Sequence, residues 1–309
     1  MNEKVMQKTI VVWVGALICC ALWGSAFPCI KIGYAWMHIA SSDTWTQILY
    51  AGTRFTLAGL LVILLGSIMQ RRLLLPQKQT IPKVFRLCML QTVLQYLFFY
   101  IGLAHTDGTK ASIIEGMNVF VAILIASILF RQEKLTLRKT IGCMIGFIGV
   151  LLVNVSGKSV DLHMSMLGEG FIFFSTVSYA FSSVLIKKYS KEENPVLLSG
   201  WQFLTGGLIM AISGFAMGGR LETFTWKSGG MLLYLAMVSA VAYTLWSLLL
   251  TYNSVSRVAV FGFMNPVFGF ILSAILLKES QAFSLIAIAS LVLVCIGIYI
   301  VNKNEKNVL

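Results

Sequence analysis

Ten apolar stretches of about twenty residues each, joined by short polar connections, constrain this 309-residue chain more than any other feature. They run approximately over 10–32, 46–69, 84–104, 110–130, 137–155, 165–187, 196–217, 229–252, 256–277 and 281–301. A helix needs roughly 20 residues to cross the hydrocarbon core, so each stretch is long enough to span. The connections leave no room for a separate soluble domain. Composition agrees: 58% of residues are hydrophobic and 12% charged, against roughly 25% charged in soluble domains. The expected fold is an all-α integral membrane protein of ten transmembrane helices. The first stretch follows Lys4 and Lys8 but is about twice the length of a signal-peptide core and lacks a small-residue cleavage site. It reads as a retained helix.

A net charge of +12 raises the question of nucleic acid. The basic residues sit in short clusters between apolar runs, as anchors do at a membrane face, and form no stripe on a polar domain. No nucleic-acid partner is expected. With the N-terminus inside, seventeen of the 24 Lys and Arg fall in inner segments, six fall outside, and Arg54 lies within a span. That bias places both termini in the cytoplasm. The cysteines (Cys19, Cys20, Cys29, Cys88, Cys143, Cys295) lie in or beside apolar runs without CxxC spacing, and read as reduced packing residues.

The two halves, 1–155 and 156–309, resemble one another. Ala51-Gly-Thr-Arg-Phe55 in the second stretch aligns with Ser199-Gly-Trp-Gln-Phe203 in the seventh, setting Arg54 opposite Gln202. One constant offset pairs Tyr96 with Tyr243, Lys110 with Arg257, and Met117-Asn118 with Met264-Asn265. Trp23 and Lys31 pair with Tyr179 and Lys187. Five spans per half is an odd number, so the halves enter the membrane from opposite sides. This is the inverted-topology repeat common in secondary transporters.

Trp23-Gly-Ser-Ala-Phe27 resembles the W-G-S/T-x-F stretch of the drug/metabolite transporter superfamily, in particular its ten-helix EamA-type members. Ala111-Ser112, the trailing Glu133, Ala242-Tyr243-Thr-Leu-Trp246, Asn265-Pro266-Val267 and Leu277-Lys-Glu279 are similar to further motifs of that group, in the same order. Each half then resembles an EamA-like five-helix repeat. The resemblance implies carriage of amino acids or similar metabolites, by export or exchange, through a central cavity without ATP hydrolysis. This chain departs from the group at Val119, where many members have proline, and at Glu115 one turn earlier.

An acid inside the hydrocarbon costs several kcal/mol unless paired or hydrated. Glu115 sits well inside a predicted span, Glu169 lies near the end of another, and Arg54 is the natural counterpart of Glu115. Three readings stand open: a structural ion pair or interhelical hydrogen bond that fixes packing, a substrate contact in which Glu115 holds an ammonium or Arg54 a carboxylate, and proton coupling through the acid. Trp23, Gln95, Tyr96, Tyr179, Tyr243, Trp246 and Asn265 fall near mid-membrane, and Asn118 shares a helix face with Glu115. As a group, with Arg54, Glu115 and Gln202, they are the expected substrate-binding residues. For any one of them ordinary packing is the alternative. Asn265-Pro266 predicts a bend, while Gly142-x-x-x-Gly146 and Gly214-x-x-x-Gly218 permit close helix approach, within the chain or in a homodimer.

His38, His105 and His163 fall in separate loops, and no H-E-x-x-H, G-x-S-x-G or Walker A sequence occurs. No cofactor or metal is expected, and an enzyme is disfavoured. The expected partners are a small-molecule substrate and membrane lipid, with the chain a monomer or homodimer in a bacterial inner membrane. The expected function is secondary transport, as an exporter. Uptake of a sugar or organic acid, and a membrane receptor or scaffold that transports nothing, are the alternatives.

Overall fold

A computed structural model describes residues 3–40, 42–105, 114–155, 165–222, 224–276 and 285–303. After a helical turn at Glu3–Met6, these residues form ten helical stretches at the positions the apolar runs predict. We number them α1 (Thr9–Trp36), α2 (Thr44–Gln70), α3 (81–104), α4 (Ile114–Leu129), α5 (Leu137–Val155), α6 (Met166–Tyr189), α7 (Pro195–Ala216), α8 (Trp226–Tyr252), α9 (255–276) and α10 (Leu285–Asn302). Six of them, α1, α2, α3, α6, α7 and α8, are long and apolar enough to cross a bilayer. Lys110, Ala111, Ser112, Lys158, His163, Leu277, Lys278 and Glu279 lie outside the described residues.

Local chemistry sets the helix ends. Asp43 accepts from the backbone N–H of Thr46 at 3.0 Å to start α2. Asn194 caps α7 ahead of Pro195, and Thr225 and Ser228 cap α8 reciprocally. The α9 stretch is broken by a 3₁₀ turn at Val260–Phe263, just before Asn265-Pro266. The missing proline N–H frees the preceding turn to tighten into this form. Wider π turns occur in α3 (Met89–Leu94), α4 (Ile125–Leu129) and α6 (Met166–Gly170).

The closest packing joins α2 to α7, through glycines seven residues apart on both helices. A Cβ on Gly59 would run into the backbone nitrogen of Leu204, and one on Gly207 into that of Thr56. In lipid, where apolar burial drives no association, such backbone approach is what holds helices together. α5 packs on α10 in the same way, with Gly142 and Gly146 against Gly297, so the first GxxxG pair packs within the chain. The second does not act as a pair. Gly214 packs on Leu49, but Gly218 lies past the end of α7 with φ +101° and open space around it. Around these two contacts α1 packs on α8 and α9, while α6 packs on α3 and α4.

Large apolar side chains also cover the outside, with Leu60, Leu64 and Ile68 along α2 and Tyr234, Met237 and Val241 along α8. Their three- and four-residue spacing marks the face a bilayer would solvate. Five cysteines are buried as expected, but Cys295 is exposed. Its position on α10 faces away from the helices that α10 packs against.

Candidate functional site

Four helices that meet at the α2–α7 contact supply the centre of the bundle. Phe55 and Phe203, which align between the two halves, stack with ring centres 5.4 Å apart and planes 14° apart. Tyr96 of α3 lies 4.5 Å from Phe55, and Tyr243 of α8 lies 4.9 Å from Phe203. The two tyrosine hydroxyls hydrogen-bond to each other at 2.8 Å. Trp23 of α1 extends the cluster edge-on, 5.0 Å from both Tyr243 and Trp246, and Tyr179 of α6 packs against it.

Arg54 and Gln202 precede these phenylalanines and are both buried. Each turns to a small hydroxyl residue on the neighbouring helix. Arg54 Nε donates to Ser239 Oγ at 3.0 Å, and Gln202 Oε1 accepts from Thr92 Oγ1 at 2.8 Å. Gln202 also donates to Gln91 at 3.0 Å, so its amide is occupied by α3. Thr92 and Ser239 stand at the same sequence offset as Tyr96 and Tyr243. The hydroxyls of Tyr34, Tyr50, Tyr96, Tyr100 and Tyr243 lie within electrostatic range of the Arg54 guanidinium, which also sits 5.1 Å from the Phe55 ring centre.

Several expected site residues carry polar atoms that are buried without a hydrogen-bond partner. They are Trp23 Nε1, Gln95 Oε1, Asn118 Oδ1 and Asn265 Oδ1. An unsatisfied buried donor or acceptor costs about 1–3 kcal/mol, and one of these, the Trp23 indole N–H, borders the aromatic cluster. Glu115 is half-buried on α4, where Ile114 packs towards α6 and Gly116 towards α5. Among the described residues no ion pair joins it to Arg54, so the structure does not make the pair that the sequence suggested. Glu169 instead folds back on its own helix start, accepting from Ser165 N–H at 2.7 Å.

One end of the bundle is tied together by polar contacts. Glu133, after α4, accepts from Ser256 N–H at 3.1 Å and Ser256 Oγ at 2.7 Å, and pairs with Lys139 at 3.2 Å. Lys187 donates to the Asn253 carbonyl, Asn253 Nδ2 to the Met6 carbonyl, and Arg257 to Asn253 Oδ1. An extensive apolar cluster, including Val12, Val119, Val184, Leu249 and Phe261, fills the bundle with them. A separate pocket of about 240 Å³ is walled mainly by apolar side chains, among them Val93, Leu97 and Met210, with Trp45 and Ser213.

The sequence did not single out Tyr34, Tyr50, Tyr100 or Ser239. The only signal available for Ser239 was its alignment with Thr92, and for the tyrosines their concentration in α1, α2 and α3.

A helical bundle with six helices long and apolar enough to cross a bilayer defines a multi-pass membrane protein. Residues 10–155 and 166–303 each match the EamA-like transporter family, and the chain belongs to that family. It is therefore a membrane transporter rather than an enzyme. It is 26% identical over 301 residues to an uncharacterized transporter of Archaeoglobus fulgidus, covering 95% of this chain and 99% of that protein. It is 27% identical over 292 residues to the uncharacterized transporter YvbV of Bacillus subtilis (strain 168), covering 92% and 89%. A solved crystal structure shares the fold with a TM-score of 0.75 at 13% identity, over 95% of this chain and 96% of the other.

Proposed function

We propose that the chain is a secondary transporter that exports small polar metabolites, amino acids or related compounds, across the plasma membrane by alternating access. The single observation that carries this reading is the centre itself. Unpartnered polar atoms of Trp23, Gln95, Asn118 and Asn265 occur in the residues expected to line the site, and Trp23 belongs to the aromatic cluster formed with Tyr96, Tyr243 and Trp246. Tyr179 completes the aromatic side. Such a mixture binds a solute with a charged or amide head and an apolar body.

The reading includes ten spans, arranged as inverted five-helix repeats over 1–155 and 156–309, with both termini in the cytoplasm. Packing supports it: α1 with α8 is matched by α6 with α3, α1 with α9 by α6 with α4, while α2–α7 and α5–α10 are each their own counterpart. The Lys/Arg bias supports the orientation, and full-length relatives in a bacterium and an archaeon support the plasma membrane. With that orientation, the tied end built on Glu133, Asn253 and Arg257 is the cytoplasmic one, and rocking of the repeats would open it.

The test is metabolite profiling inside and outside cells that overproduce the protein, followed by transport in liposomes. Depletion of a polar metabolite from cells and its appearance outside is the expected result. Accumulation inside would reverse the direction. Liposomes that move no solute would favour a receptor or scaffold.

A further inference from the structure

Building on the transporter reading, we propose that Arg54 is an anion-binding residue of the substrate site, and that the solute it selects carries a single carboxylate on an aromatic or aliphatic body. Arg54 is 3% exposed. Among the described residues, only its Nε is hydrogen-bonded, to a neutral serine, and no carboxylate pairs with it. A buried cation without a counter-ion is strongly unfavourable, and protein interiors normally supply the partner. Here the interior supplies a polar, neutral surround instead.

That surround has the features of a socket. Nε is pinned by Ser239, which orients the planar guanidinium and leaves its two terminal nitrogens free of protein acceptors among the described residues. One of the surrounding hydroxyls, that of Tyr50, is buried with no hydrogen-bond partner. Tyr50 is 1% exposed and stands one helical turn before Arg54, on the same face of α2. A carboxylate that takes the two terminal nitrogens in a fork would gain two charge-assisted bonds. It would also offer an acceptor to the unpartnered Tyr50 hydroxyl. A phosphate monoester carries nearly two charges and would leave one unmatched. Tyr96, which packs beside Phe55 and is not fully buried, then meets the apolar body.

The test follows intrinsic tryptophan fluorescence of the purified full-length protein in detergent, titrated with phenylacetate, phenylacetamide and phenyl phosphate. Phenylacetate should bind saturably, and the other two at least about tenfold more weakly. Arg54→Gln should weaken phenylacetate by at least about tenfold, while Arg54→Lys should keep part of the affinity but lose the fork. If Arg54→Gln is not recovered folded, Ser239→Ala keeps the charge and should weaken phenylacetate severalfold. Equal binding of the acid and its amide, no saturable binding of the acid, tighter binding of the phosphate, or undiminished binding by a folded Arg54→Gln protein would each overturn the assignment. Liposomes separate the two ideas. Wild-type protein that moves neutral or cationic solutes but excludes carboxylates keeps the transporter reading and removes this one. Carboxylate binding without movement of any solute does the reverse.

Discussion

Tyr96 and Tyr243 stand at equivalent places in the two halves of the chain, and their hydroxyls meet at 2.8 Å in the centre of the bundle. Phe55 and Phe203 repeat the relationship one layer away, as do the Arg54–Ser239 and Thr92–Gln202 hydrogen bonds. A hydrogen bond between these matching residues couples both halves at one point. Changes at either residue should therefore be felt by both.

Tyr96→Phe or Tyr243→Phe alone strands the other hydroxyl in a buried setting, at about 1–2 kcal/mol. The double variant removes both groups and should be no less stable than either single one. Thermal unfolding in detergent, read as a double-mutant cycle, checks this. Strictly additive losses would mean the two hydroxyls do not depend on each other.

The α2–α7 contact depends on bare backbone. Gly59→Leu or Gly207→Leu must push the helices apart, because the added side chain points into the facing main chain. Both should yield little monodisperse protein on size-exclusion chromatography. Gly230→Leu, at a position with nothing within 4 Å, should behave like wild type.

Glu133 bridges Lys139 and the start of α9 with both partners largely shielded from water. Glu133→Ala removes this carboxylate from Lys139 and from the Ser256 N–H and hydroxyl, a loss of about 3 kcal/mol. It should also loosen the tied end. Labelling of a cysteine placed at Ser256 by a membrane-impermeant thiol reagent should rise in the Glu133→Ala background and stay low in wild type.

Glu115 has no described ion-pair partner, so substrate contact and proton exchange remain its two functional readings. Glu115→Gln should abolish transport while expression is retained. Unchanged transport with an unchanged pH dependence would remove both readings together.

Near the start of α3, Lys83 bridges Glu192 and Glu193 at 2.8 and 2.9 Å. The hydrogen bond from Lys83 holds the Glu192 carboxyl below its usual range. A folded-state value lower than the unfolded one adds stability that is complete above the ordinary carboxylate pKa of about 4.3 and is lost as pH falls through the depressed value. Exposure of Glu192 keeps the effect small. Lys83→Gln should flatten the acid limb of a stability-against-pH curve and leave neutral pH almost unchanged.

The positions of the helical stretches were legible in the sequence because a bilayer imposes a length and a polarity on every span, and both can be counted. The correspondence of the halves was legible for a related reason: Tyr96 with Tyr243 and Arg54 with Gln202 keep their spacing within elements of fixed rise. What spacing along a helix cannot specify is which side chains face each other across helices. That was decided by the glycine contacts of α2 and α7, which set how near α3 and α8 come to them. Their geometry turned Arg54 towards Ser239 and not Glu115, occupied Gln202 with Gln91 and Thr92, and left the buried Tyr50 hydroxyl unpartnered. By itself the sequence determined a multi-pass helical membrane protein with two matching halves. Only tertiary packing decided that its buried arginine lacks a carboxylate partner among the described residues.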